Sequence, residues 1–166
     1  MLGASISFAT DAIPYKHEQW RDFASASGKF KILFPGTPRT SEQTRQTPTG
    51  TIVSRRFTLR AGPDITYDIM YSDYPGSIAT RMNPKNIPDT ARDGLVHQAN
   101  GKLLRENTIA ARGGIGREVE IKGADTAFYT VRFVLIGSRL YQALVVEGNP
   151  RRLAARPFLE SFQILE

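Results

Sequence analysis

The stretch that decides the fold is TAFYTVRFVLIGSRLYQALVVE, residues 126–147. On its first arm Tyr129, Val131, Phe133 and Leu135 recur at every second position, the period of a strand whose alternate side chains face one way. Gly137-Ser138 is a two-residue turn that returns the chain into 139–147. On that second arm Leu140, Leu144 and Val146 would meet the first row across the hairpin. Both arms are apolar enough to form the centre of a core, so the reading starts from an antiparallel hairpin.

Upstream the same grammar repeats. Trp20-Arg21-Asp22-Phe23 alternates apolar and polar residues, Ser25 to Gly28 is turn chemistry, and KFKILFP at 29–35 puts Phe30, Ile32 and Phe34 on one face. Thr40 to Gln46 is patterned as an edge strand. Residues 51–60 align Val53, Phe57 and Leu59 beside Arg55, and Ile65, Tyr67, Ile69 and Tyr71 give the cleanest alternation in the chain. Asp68, on the other side of that strand, is expected to face solvent. Tyr74 to Asn86 has no period and contains Pro75-Gly76 and Asn83-Pro84, so it is expected as a long irregular loop.

Residues 87–100 then read as a helix. Asn86 is placed to cap it, Pro88 falls in the first turn, Gly101 is placed to stop it, and Ala91, Leu95 and Ala99 form its buried stripe. Strands are expected over 102–109 and 115–122, joined by a turn at Arg112-Gly113-Gly114. Asn149-Pro150 is expected to open a final helix that Pro157 kinks or ends, and SFQIL at 161–165 to close the sheet. Runs of strands punctuated by two helices, with tight hairpins throughout, specify an α+β fold with a mostly antiparallel sheet. The expected organisation is a lead-in over 1–16 and a single domain over 17–166.

Composition narrows the function classes. At 166 residues the chain can bury about 70% of its unfolded surface, enough for a core without staples. It has no cysteine, which removes thiolate chemistry, thiolate zinc sites and disulfides together. The formal charge is +6, but the arginines are scattered from Arg21 to Arg156, with Arg55-Arg56 and Arg151-Arg152 the only adjacent pairs. A nucleic-acid footprint needs clustered charge, so an acidic protein surface or anionic headgroups suit this pattern better. No stretch reaches the ~20 apolar residues of a membrane span. MLGASISFATDA carries Ser7-Phe8-Ala9, the shape of a signal-peptidase site without a basic leader, and reads equally as the tail of an export signal or as a loose terminus. The compartment suggested is the periplasm or another extracytoplasmic space, with the cytosol also compatible.

The two histidines, His17 and His97, have no partner at metal-ligand spacing, and no serine sits in a nucleophile elbow. Arg112-Gly113-Gly114-Ile115-Gly116-Arg117 lacks the G-x-G-x-x-G spacing and runs into a strand rather than a helix, so it reads as a turn with flanking arginines. Glu118 and Glu120 share a strand face, the pattern of a solvated face, with Val119 and Ile121 inward; Arg117 then falls on the inward side, which the pattern alone does not explain. Trp20, Tyr71 and Tyr74 border loops, where aromatics serve either as interface anchors or as caps on the core.

The motifs W-x-x-F followed by GKFKILFPGTP, G-x-x-G-R-E-V-E at 113–120, and RLYQALVVEG with FLESF at 139–162 resemble small bacterial exported domains related in fold to PsbP-like extrinsic photosystem proteins and to a Ran-binding nuclear-transport factor. The resemblance spans nearly the whole chain. It implies an antiparallel sheet sandwiched between helices and non-enzymatic work as an assembly factor or extrinsic subunit. It transfers no catalytic residue and no cofactor, and the lipid-attachment cysteine common in bacterial PsbP-like proteins has no counterpart here. The expectation is therefore a binding domain, monomeric in isolation, that docks on a protein complex, membrane-associated or not. Its candidate surface comprises Tyr74 and Arg81 in the loop, Arg112 and Arg117 at the glycine turn, and Arg132 and Glu118 beside it. The alternative is a small-ligand or anion-binding protein, or an enzyme, with a pocket between sheet and helix 87–100 that uses Arg117, Arg132 and Glu118.

Overall fold

The computed structural model describes residues 20–81, 83–148 and 154–166, without the side chains of 79–81. In chain order the elements are β1 (Arg21–Ser25), β2 (Phe30–Phe34), β3 (Arg39–Thr47), β4 (Gly50–Arg60), β5 (Ile65–Asp73), α1 (Gly76–Arg81), α2 (Asn86–Gln98), β6 (Lys102–Ile109), β7 (Ile115–Lys122), β8 (Phe128–Ile136), β9 (Arg139–Glu147), α3 (Ala155–Ser161) and β10 (Gln163–Ile164). Seven strands form one sheet in the order β3-β4-β5-β9-β8-β7-β6, and three form a smaller one in the order β1-β2-β10. Every pairing is antiparallel. The α+β reading and its antiparallel sheet hold.

The hairpin of 126–147 takes the middle of the large sheet, where β9 is flanked by β5 and β8. Tyr129, Val131 and Leu135 face Val146, Leu144 and Leu140 in register. Alternation then builds two cores. Phe30, Ile32, Phe34, Phe57, Tyr67, Ile69, Tyr141, Ala143, Val145, Phe158 and Leu159 pack on one face, beneath the small sheet and α3. On the other face Ile87 and Leu95 of α2 pack on Val119, Ile121, Val131, Phe133, Leu135, Leu140 and Leu144. Tyr71 belongs to the first core, and Trp20 packs edge-on against Tyr67, so both are core aromatics. The β1–β2 turn is clipped to the large sheet by Tyr141, whose hydroxyl donates to the Gly28 carbonyl at 2.8 Å, and by Arg139, which donates to the Ser27 carbonyl while chelating Asp73.

Four boundaries differ from the sequence reading, each for a local reason. The 74–86 segment is not irregular throughout: six residues form α1, started by the Pro75 carbonyl accepting from Ile78 N–H, and too short to show a period. Asn86 is not the cap of α2. Lys85 precedes the helix already in the α region, and the carbonyls of Asn83 and Pro84 accept from Asn86 and Ile87 instead. The left-handed residue after α2 is Asn100 (φ 43°), not Gly101; Asn100 N–H bonds to His97 and Gly101 N–H to Val96, the paired bonds of a Schellman motif. Gly101 is required instead by contact, since a Cβ there would lie 2.6 Å from the Lys122 carbonyl. Pro157 is the third residue of α3 rather than its end, in the first turn where no intrahelical N–H bond is lost.

SFQIL does not close the large sheet. The hydroxyl of Ser161 accepts from Leu33 N–H at 2.9 Å, so the chain leaves α3 beside β2 and β10 pairs there. Residues 1–16, His17, Asn149-Pro150 and Arg151-Arg152 lie outside the described residues.

Two substitutions test the backbone reading. Thr126, β-branched, has a φ of 66°, and Thr126→Gly is expected to raise unfolding stability by about 0.5–1 kcal/mol in urea titrations. At Gly114 a Cβ would sit 2.1 Å from the Leu135 carbonyl oxygen, so Gly114→Ala is expected to cost about 2 kcal/mol or more in the same assay.

Candidate functional site

The alternation of β7 sends Arg117 to the α2 side and Glu118 to the α3 side. Arg117 shares its face with Val119 and Ile121, and the structure supplies the reason the pattern lacked. Asp89, in the first turn of α2, and Glu106 of β6 receive it at 3.0 and 3.3 Å, and Arg92 bridges the same Glu106 at 2.8 Å. The network staples α2 to the β6–β7 edge, and with side chains only 20–23% exposed at Arg92, Arg117 and Glu106 its geometry is well defined.

Glu118 and Glu120 are not a solvated face. Glu118 is buried under α3, where Arg132, its register partner on β8, donates from Nε at 2.7 Å and Arg156 approaches to 3.6 Å. Arg132 also donates to the Leu159 carbonyl at 2.8 Å, which ties the helix to the sheet. Glu120 is 13% exposed and lies 3.6 Å from Arg105. Arg117 and Arg132 thus stand on opposite faces of the sheet and do not converge. Arg112 is 95% exposed at its turn, 3.5 Å from Glu166. Tyr74 is half-buried at the end of β5, and its N–H donates to the Ser138 carbonyl at 2.9 Å. The backbone of Arg81 ends α1, and its side chain is outside the description. His97 is exposed on α2, and among the described residues no three metal-ligating side chains come together.

Concave surface lies on both faces of the sheet; on the α3 side Arg112, Val134, Ile136 and Phe162 border a pocket of about 580 Å³. A cleft between α2 and the β4–β5–β9 part of the sheet has an outer compartment of about 460 Å³ and an inner one of about 290 Å³. The two share Arg56, Leu95, Gln98 and Gln142. A pocket between sheet and helix was expected, but Arg117, Arg132 and Glu118 do not line it. Its sheet wall is polar: Ser54, Arg56 and Thr58 of β4 alternate inward opposite Ser72, Met70 and Asp68 of β5. Ser54 and Ser72 hydroxyls lie 2.7 Å apart. Tyr74 borders the outer compartment, where burial raises its pKa and nearby Arg45 partly opposes the rise.

Asp68 is the residue that the sequence reading misplaced. Expected in solvent, it is buried in the cleft floor, accepting from Thr58 Oγ1 at 2.6 Å and lying 3.4 Å from Arg56. An alternating polar run on a strand is the signature of a solvent face, and nothing in that run announces a helix overhead. Burial raises the Asp68 pKa above its ordinary 3.8, against the opposing pull of Thr58 and Arg56. The folded state therefore binds this proton more tightly than the unfolded one, and the Asp68 contribution to stability falls as pH rises from 3.8 through the folded pKa. Asp68→Asn is expected to be more stable than the parent at pH 7, with the difference shrinking as pH is lowered toward 4, measured by thermal melts across that range.

No family model matches the chain, and no curated protein does. Among solved structures, cyanobacterial PsbP (CyanoP) from Synechocystis superposes with a TM-score of 0.60 at 10% identity, covering 97% of this chain and 98% of that one. A Bacteroides thetaiotaomicron protein aligns with a TM-score of 0.41 at 10% identity over 89% of this chain and 49% of its own. With the superposition on CyanoP covering nearly the whole of both chains, the chain has a PsbP-like fold.

Proposed function

We propose that the protein is a non-enzymatic binding domain, an assembly factor or extrinsic subunit that docks on a protein complex outside the cytoplasm, at a membrane surface. The PsbP-like fold supports this reading, as does the deployment of charge. Arg92, Arg117, Arg132 and Arg139 are each engaged in ion pairs between elements. These side chains hold the layers in place and leave surface and shape for recognition. No helix among the described residues is long and apolar enough to cross a membrane.

The observation that carries the proposal is the convergence of three loops on one end of the sandwich. Tyr74, just before α1, bonds to Ser138 of the 137–138 turn, and Gly114 of the Arg112 turn packs on Leu135 beside it. Arg112 projects from that end almost fully exposed. With a chain charge of +6, this end suits an acidic protein surface. Tyr74, Arg81 and Arg112 form the proposed contact, with Arg117 behind them; Glu118 and Arg132 support it from the α3 side. Immobilised protein is expected to retain a partner from a membrane extract at low salt and release it at about 0.5 M salt. Arg112→Glu is expected to reduce recovery several-fold, while Lys102→Glu, on β6, leaves it unchanged. Equal recovery by both variants, or none by the parent chain, would count against docking at this end.

A second reading, a small-ligand-binding protein, is favoured by the cleft beneath α2, whose polar wall includes a buried carboxylate.

A further inference from the structure

The cleft wall carries more specific chemistry than its polarity. Both protein partners of Asp68 address one oxygen: Thr58 Oγ1 donates to Oδ2, and Arg56 Nε stands 3.4 Å from that same atom. Oδ1 is buried with no hydrogen-bond partner, although the side chain as a whole is only 7% exposed. A buried acceptor left in this way is costly to the fold; it is closed to solvent as the side chain stands, so a donor in the cavity that Asp68 lines reaches it once the carboxylate turns toward that cavity. Arg56 borders the same cavity and is 46% exposed, so its guanidinium retains donor capacity toward the cavity.

Together Asp68 and Arg56 present an acceptor next to a donor with no net charge. A ligand ammonium at Asp68 would be repelled by Arg56, and a ligand carboxylate at Arg56 by Asp68. A neutral planar group with N–H beside C=O satisfies both. Gln142, buried on β9 and shared by both compartments, adds a neutral amide to the same wall. Leu95, Ala99, Leu144 and Val146 add apolar surface to the wall, beside the polar Thr66, Gln98 and Tyr129. We propose that the inner compartment binds a neutral primary amide or ureide carried on a short aliphatic chain, with its N–H on Asp68 Oδ1 and its carbonyl on Arg56. This rests on the small-ligand reading of the cleft and is independent of docking at the loop end.

Three probes of one shape and different charge test it: isovaleramide, isovalerate and isoamylamine, titrated into the full chain and followed by nitrogen–proton correlation NMR. Isovaleramide is expected to shift the amides of Asp68, Leu95 and Gln142 saturably, with the two charged probes about tenfold weaker or more. Asp68→Leu is expected to weaken isovaleramide by about tenfold; should that variant not fold, Gln142→Met is expected to weaken it several-fold. Isovalerate or isoamylamine binding the same residues as tightly would overturn the assignment of the ligand while leaving the cleft a binding site. No shift in those amides with any probe would overturn both, and undiminished isovaleramide binding in the variants would overturn the roles of Asp68 and Gln142.

Discussion

One helix cannot cover a seven-stranded sheet. Six inter-strand gaps at about 4.8 Å make the face about 29 Å wide, while a helix with its side chains spans about 10–12 Å. The chain resolves this mismatch by dividing the face. Over β7, β8 and β9 the inward residues are Val119, Ile121, Val131, Phe133 and Leu144, and α2 packs there. Over β4 and β5 they are Ser54, Arg56, Thr58, Asp68 and Ser72, and the edge of α2 overhangs them without contact across the whole width. The cleft is thus a consequence of sheet width, and its polar lining is what keeps that half of the face wet.

Two elements share the opposite face, and its pocket lies toward the edge, between β8 and β10. The small sheet and α3 cover Phe57, Tyr67, Ile69, Tyr141 and Val145, and rings from Phe23, Phe30, Phe34 and Phe158 interlock above them at centroid distances of about 5–6 Å. β9 is therefore buried on both sides, with Tyr141, Ala143 and Val145 in one core and Leu140 and Leu144 in the other. Its flanks are occupied too, by β5 and β8. A strand enclosed in this way orders the layers around it, and partly buried ion pairs then orient them. Arg132 with Glu118 and the Leu159 carbonyl fixes α3, and Arg117 with Asp89 and Glu106 fixes α2. Such pairs add little net stability once desolvation is counted, yet removing one partner strands a buried charge, so they specify arrangement more than they strengthen it.

This division of labour separates scaffold from recognition. Charged residues that look chemical in isolation, Glu118 with Glu120 and the arginines of the glycine turn, are held in ion pairs, within the fold or, for Arg112 with Glu166, at its surface. What remains for a partner or ligand is the loop end around Tyr74 and the cleft around Asp68. Tyr74 belongs to both, since it also borders the outer compartment of the cleft.

Strand identity was legible because period-two alternation is a local consequence of the pleat: 128–136, 139–147 and 65–73 announce themselves through Val131, Leu144 and Tyr67, whose neighbours in sequence point the other way. The helix at 86–98 was legible from Pro88 and the Ala91–Leu95–Ala99 stripe for the same reason. Burial of polar residues was not legible. The alternation at Thr66, Asp68 and Ser72 marks a face that is not apolar, but whether water or a helix lies over it depends on residues twenty or more positions away. Likewise Arg117 pointed inward by period, and only the arrival of Asp89 and Glu106 from α2 and β6 made that position tolerable. Local pattern determined the elements and their faces; the long-range packing of one narrow helix on a wide sheet decided which polar residues became a site.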